Sequence, residues 1–405
     1  MKRRKAASSG RLVRNSPLYF DNAATSFPKP DCVYDAVDTW MRGGAASVGR
    51  GTHQKAEAAG QMIDECRRRL ATLLGVPNPS QIVFTLNCTD SLNTVLQGFL
   101  RPGDSVVCTA LDHNSVLRPL EMLKQRFGIG VEVISIDPVT GFIDERSYLK
   151  ALAGGKIRLV VLNHASNVTG RVQRIAELTR MAHEHGAAVL LDAAQTAGHW
   201  PLNMKELDVD FLAAAGHKGL LGPLGTGILC IRRGLETELQ PLRFGGTGTS
   251  SESLTQPDTM PTRFESGNLN LPGIAGLHAA SKWILDQTLP KLQSQVHALT
   301  AQLLDELERI DGVSILRPCL ESDNCGIVSF NIGGMDCREV AMILDQSFDI
   351  QSRAGLHCAP LLHESLRTNV NHGCVRLSPG VFTTVEEIRT VIEAVQAIAA
   401  HAIAG

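Results

Sequence analysis

From Gln81 to about Ile231 the chain repeats one pattern, a short apolar run followed by an amphipathic stretch of helical period. The apolar runs are Ile82-Val83-Phe84, Ser105 to Cys108, Val131 to Ile134, Arg158 to Leu162 and Ala187 to Leu191. Between them, Ser91 to Leu100, Val116 to Phe127 and Ile175 to His185 carry apolar residues on one helical face. Strands that are apolar throughout need cover on both faces, and intervening helices supply it. The pattern therefore predicts a doubly wound α/β domain around a mainly parallel sheet.

Past Gly245 to Asn270, a stretch rich in Gly, Ser and Thr, a single long helical pattern from Ile274 through Ile310 is expected to carry the chain out of that domain. Strands at Val313 to Leu316, Ile327 to Ile332 and Cys374 to Leu377, with helices at Cys337 to Ser347 and Val385 to His401, then read as a smaller α+β domain. The division expected is 1–17 as a basic, flexible arm, 18–289 as the large domain and 290–405 as the small one.

At 405 residues and 43% hydrophobic content the chain can bury a large core. Thirty-nine basic against 41 acidic side chains give a formal charge of -2, which argues against nucleic acid or an anionic membrane as partner and favours a small ligand. No apolar stretch reaches the roughly 20 residues that span a bilayer, and no apolar segment of a secretory signal follows the basic start. Ten cysteines without a C-x-x-C pair fit free thiols in a reducing, cytoplasmic setting.

Two residues suggest chemistry. Asp192 closes the apolar run Ala187 to Leu191, so its side chain is expected at the carboxyl end of the sheet, where open α/β sheets bind ligands. Lys218 follows the apolar run Asp210 to Ala214 and precedes a Gly-rich stretch, a place from which an amine could hold a carbonyl compound as a Schiff base. A buried carboxylate facing a ring nitrogen, together with such a lysine, is what pyridoxal phosphate requires. Each residue alone also has an ordinary reading, Asp192 as a helix cap and Lys218 as a surface lysine.

Other candidates fall at further strand ends. Asn87 to Ser91 turns from strand to helix and offers N–H groups and the Thr89 hydroxyl to a phosphate, with Cys88 beside it; Thr89 or Asp90 could equally be a plain N-cap. His217 adjoins the lysine as a second phosphate candidate. His113 follows the Ser105 to Cys108 run and could lie over a pyridine ring, although a loop histidine is more often solvated. Asn167 could bond a cofactor oxygen or a substrate carboxylate, or simply serve a turn. Gln195 can reach the same ring oxygen as Asn167. In Arg353 to Pro360, Arg353 is a natural carboxylate clamp, and Cys358 a candidate nucleophile or an inert buried thiol. His357, Cys358, His363, His372 and Cys374 match no common zinc spacing, so no metal is expected.

In order along the chain, these motifs resemble the cysteine desulfurases of the class V aminotransferase family. The likeness runs from Tyr19-Phe20-Asp21-Asn22-Ala23-Ala24-Thr25 through Gly51-Thr52-His53, Asp112-His113-Asn114, Ser166 to Gly170, Asp192-Ala193-Ala194-Gln195, Gly216-His217-Lys218 and Arg263 to Gly267, to Arg353 to Cys358. The resemblance implies a fold-type I enzyme dependent on pyridoxal 5'-phosphate, a homodimer with sites at the subunit interface. It implies Lys218 as cofactor lysine, His113 stacked on the ring, Asp192 at the ring nitrogen, Gln195 at the phenolic oxygen, and Thr89 and His217 at the phosphate. Arg353 and Arg376 would receive the carboxylate of L-cysteine, and Cys358 would take its sulfur as a persulfide for an acceptor protein. Selenocysteine lyase, another carbon–sulfur lyase and an aminotransferase are the alternative activities, and a colourless sulfur-carrier protein is the alternative of another class. Two departures from the family pattern are Ala215, where relatives often carry a hydroxyl, and Asn268, where a partner's threonine commonly reaches the phosphate.

Overall fold

The computed structural model describes residues 17–44, 48, 51, 53–316, 323–369 and 372–404. The basic arm up to residue 16 and Thr52 lie outside the described residues. Seven strands form the main sheet in the order Ile82–Thr85, Gly227–Ile231, Phe211–Ala215, Ala188–Asp192, Ile157–Asn163, Ser105–Thr109, Gly130–Ile134. The five from Phe211–Ala215 onward are mutually parallel. Gly227–Ile231 runs against both its neighbours. Two reversals restore direction, so Ile82–Thr85 delivers its carboxyl end to the same edge as the parallel strands.

Every residue of Phe211–Ala215 and Gly227–Ile231 is buried, and separate apolar clusters cover the two sheet faces. That explains the unbroken apolar runs. Fully burying a side chain such as Leu190 or Leu191, both 0% exposed, stabilises by about 1.5–3 kcal/mol, so Leu190→Ala is expected to cost roughly 2–5 kcal/mol. Gly227–Ile231, which the sequence reading passed over as the end of a flexible glycine run, starts with a glycine for a steric reason. A Cβ at Gly227 would stand 2.5 Å from Thr85 Oγ1 and from the Asn87 carbonyl carbon.

A second, antiparallel sheet has the order Arg353–Gly355, Cys374–Leu377, Val328–Ile332, Val313–Ile315. Its core joins Phe330, Val375 and Leu377 to the helices Leu289–Glu308, Cys337–Phe348 and Val385–Ala404, and Phe20 belongs to the same cluster. Leu18–Tyr19 pairs with Ile350–Gln351 in a separate two-stranded sheet, which ties the start of the described chain to the segment just before Arg353–Gly355. The long helix expected over Ile274 to Ile310 is two helices, Leu271–Gln287 and Leu289–Glu308. Thr288 between them has φ of 65°, outside the helical region, and Pro290, the second residue of the second helix, cannot continue the first because it has no N–H to donate.

Candidate active site

Strand carboxyl ends and the loops beyond them form one cavity, lined among others by Cys88, Thr89, His113, Asn167, Asp192, Gln195, His217 and Lys218. Eight of the residues singled out from sequence thus converge. They come from five strand-to-loop junctions, because these strands all deliver their carboxyl ends to one edge of the sheet.

Asp192 is the last residue of its strand and 4% exposed. Its Oδ1 accepts from the Ala194 N–H at 2.9 Å and from the Cys88 thiol at 3.5 Å. Burial pulls the Lys218 amine down from its ordinary pKa, against the opposing pull of Cys88 and Asp192. Burial, then the charges of Lys218 and Lys29, lower His217 to about 4, so its ring is neutral at physiological pH. The His217 carbonyl accepts from Ser26 N–H at 3.0 Å and from Lys29 Nζ at 3.3 Å, which braces the lysine loop against the start of the chain.

The cap of the helix Cys88–Phe99 is neither Thr89 nor Asp90 but Asn87, whose side chain accepts from the Asp90 N–H at 2.9 Å. Thr89 is therefore free of capping, and its hydroxyl pairs with Ser115 Oγ at 2.7 Å. Ser115 also meets His113 Nδ1 at 2.8 Å, while the same nitrogen accepts from the Ser115 N–H at 3.0 Å. His113 is thus the cap of Asn114–Phe127 rather than a solvated loop histidine, and burial holds its pKa below the ordinary value. Gln195 Nε2 donates to the Ala23 carbonyl at 3.1 Å. Asn167 Nδ2 donates to the His357 carbonyl at 2.7 Å, and its Oδ1 is buried without a partner among the described residues.

The second sheet brings Arg353 and Arg376 side by side as register partners on adjacent strands. Arg376 is 1% exposed and reaches across to the first sheet's loops. One guanidinium nitrogen donates to the Asn167 carbonyl at 3.0 Å and another to Asp21 Oδ1 at 2.7 Å. Cys358 follows on the loop between Arg353–Gly355 and the helix Pro360–Ser365, and is half-buried. Both His357 and Cys358 sit in the left-handed region, with φ of 48° and 59°. Such residues each cost about 1–3 kcal/mol and persist only where surrounding bonds hold them. Here the bonds are Asn167 to the His357 carbonyl, the His357 ring to the Cys374 carbonyl at 3.0 Å, and Asn114 N–H to the Cys358 carbonyl at 2.8 Å.

Asn268 is not brought to this cavity within one chain. It is exposed and lines a separate cavity with Arg67, Thr247 and Glu265. Two residues of the site had no role assigned from sequence. Ser115 bridges Thr89 and His113, and Asp21 pairs with Arg376, although both lie in or beside motifs already noticed.

The family profile described as class-V aminotransferase matches residues 18–391. A probable cysteine desulfurase of Methanothermobacter thermautotrophicus is 34% identical over 386 residues, covering 94% of each chain. A probable cysteine desulfurase of Pyrococcus abyssi is 36% identical, over 93% of this chain and 92% of the other. Among solved structures, the apo cysteine desulfurase of Thermococcus onnurineus NA1 superposes with a TM-score of 0.88 at 34% identity, over 95% of both chains. The chain belongs to the class V aminotransferase family and, within it, to the cysteine desulfurases.

Proposed function

We propose that the protein removes sulfur from L-cysteine, leaving L-alanine, with pyridoxal 5'-phosphate held in the Lys218 cavity and Cys358 as first sulfur acceptor. The observation that carries this reading is the convergence of Lys218, Asp192 and His113 on one cavity, with Arg376, Asn167 and the Cys358 loop hydrogen-bonded together at its edge. The residues fit the cofactor. A lysine amine and a buried carboxylate face one space, and His217 Nδ1 and Asn167 Oδ1, on two residues lining it, are buried without partners among the described residues.

Lys218 would hold the cofactor, with Asp192 at its ring nitrogen, His113 against its ring, Gln195 and Asn167 at its ring oxygen, and Thr89, Cys88 and His217 toward its phosphate end. When bound, the cofactor supplies an electron sink for the carbon that loses its proton. Arg353 and Arg376 receive the substrate carboxylate. The Lys218 amine, disposed by burial toward its neutral form, takes the proton from the substrate α-carbon. The Cys358 thiolate then attacks the substrate sulfur. A sulfur–sulfur bond forms, the carbon–sulfur bond breaks with its electron pair going to carbon, that carbon is protonated, and return of the proton held by Lys218 to the α-carbon completes alanine. The persulfide passes to an acceptor, which we take to be a dedicated protein.

We further propose two domains, 18–289 and 290–405. The separate cores of the two sheets support this division, with Leu18 to Phe20 packing on the second. The protein would act as a homodimer, in which Asn268 serves the other copy's phosphate. A cytoplasmic location is in keeping with the nine described cysteines, all free thiols. No described helix is long and apolar enough to cross a membrane.

The test is the visible spectrum of protein loaded with pyridoxal 5'-phosphate, followed by product analysis with L-cysteine and L-selenocysteine side by side. The expected band is bleached by borohydride and absent in Lys218→Ala. Cys358→Ala is expected to abolish alanine formation from cysteine, and full activity in that variant would refute the persulfide step.

A further inference from the structure

Cys88 stands out among the cavity's residues because a thiol is a poor choice for most of the tasks there. It is the first residue of the helix Cys88–Phe99, only 8% exposed, and it lines the cavity together with Asp192 and Lys218. As a nucleophile it is badly placed. Burial, reinforced by the Asp192 charge, raises its pKa well above the ordinary thiol value, so the sulfur keeps its proton and a protonated thiol does not attack. What a buried S–H can still do is donate one weak hydrogen bond.

That bond goes to Asp192 Oδ1 at 3.5 Å. The second donor to this carboxylate, the Ala194 N–H, also reaches Oδ1. Among the described residues, every hydrogen bond recorded for the Asp192 side chain falls on this one oxygen. Oδ2 is left to the cavity, where a ring N–H would need it. The carboxylate is therefore anchored on one side and unspent on the other.

The choice of sulfur matters for how much negative charge is drawn off. A hydroxyl donor close to a carboxylate makes a short, charge-assisted bond of considerable strength and lowers the carboxylate's basicity. A thiol at 3.5 Å fixes the same geometry while withdrawing little. We propose that Cys88 is a positioning residue that orients Asp192 through a deliberately weak S–H bond, leaving Oδ2 basic enough to keep the cofactor's ring nitrogen protonated.

The inference rests on the cofactor reading above, and the experiment separates the two. Wild type, Cys88→Ser and Cys88→Ala are loaded with pyridoxal 5'-phosphate, and the pH midpoint of the visible band is titrated for each. Serine donates a stronger bond, makes Asp192 less basic and leaves the ring nitrogen less fully charged, so the lysine-linked nitrogen becomes more basic. The midpoint should rise by about half a pH unit, roughly a threefold change in the proton equilibrium. Alanine removes the donor, so the midpoint should not rise, while cofactor dissociation should become several-fold faster because Asp192 has lost an anchor. Midpoints and dissociation rates of both variants equal to wild type would overturn the role of Cys88. A wild-type protein that takes up no cofactor and shows no band would instead overturn the reading on which the inference rests.

Discussion

The Asn114 N–H donates to the Cys358 carbonyl at 2.8 Å, so the residue that follows His113 grips the candidate nucleophile by its backbone. His113 and Cys358 are thereby held in one geometry, although they follow strands of different sheets. The left-handed φ values of His357 and Cys358 are sustained by this bond and by Asn167.

Asn167→Ala removes the bond to the His357 carbonyl. Stability is expected to fall by only about 1 kcal/mol, the usual net worth of one such bond, while turnover falls at least about tenfold because the strained loop relaxes. Hydrogen exchange at the Ala359 amide, which bonds the Leu356 carbonyl, should accelerate. Unchanged exchange with unchanged turnover would show that the loop holds itself.

Asp21→Asn leaves the Arg376 guanidinium buried without its counter-charge. Removing one partner of a buried pair typically costs about 3–5 kcal/mol; since the Asp21 side chain is 21% exposed, a loss of roughly 2–4 kcal/mol is expected. Urea unfolding measures it as a lower midpoint at unchanged slope. KM for cysteine should rise more than kcat falls, because Arg376 loses its orientation toward a carboxylate.

Asp112 is fully buried, with Oδ2 accepting from the Thr109 N–H at 2.6 Å and Oδ1 unpartnered. Burial raises its pKa from 3.8 to about 7, more than the hydrogen bonds from Thr109 lower it. Between these values the unfolded chain is ionised and the folded chain still holds the proton. This group's contribution to stability is therefore complete below pH about 4 and is lost as pH rises toward 7, by up to roughly 4 kcal/mol. Asp112→Asn keeps an acceptor and has no charge to lose. Its unfolding free energy, measured against wild type at pH 4 and pH 8, should gain roughly 2–4 kcal/mol on going to the higher pH.

Ser115→Ala severs both the Thr89 and the His113 contacts of one hydroxyl. Two lost bonds of about 1 kcal/mol each predict pyridoxal 5'-phosphate retention weaker by up to about thirtyfold. Equilibrium dialysis of the loaded protein measures this, and retention equal to wild type would show that the Ser115 bridge between Thr89 and His113 does not support cofactor binding.

Asp192 and Lys218 were legible because each follows an apolar run within a few residues, and a buried parallel strand delivers whatever comes next to the sheet's carboxyl edge. The same reasoning located His113 and the turn at Thr89. It could not identify Asn87 as the cap, since Asn87, Thr89 and Asp90 are all good capping types and only backbone geometry chooses among them. The partnership of Asp21 with Arg376 leaves no local signature, as the two stand 355 positions apart. The break at Thr288 was signalled by Pro290, but the flanking helical period ran through it. Asn268 could be matched to a family position, yet its cavity within one chain is a different one.

The Asp21–Arg376 pair joins the two extremities of the polypeptide, and that sets a timetable. Loop closure over so long an interval comes late in folding, after the local strand and helix contacts of the main sheet have formed. A chain still emerging from the ribosome can complete the strand ends that carry Asp192 and Lys218 well before Arg376 is synthesised. It would possess the cavity around Asp192 and Lys218 without Arg376, so on the proposed reading the substrate carboxylate gains its arginine partner only once the strand Cys374–Leu377 has been made.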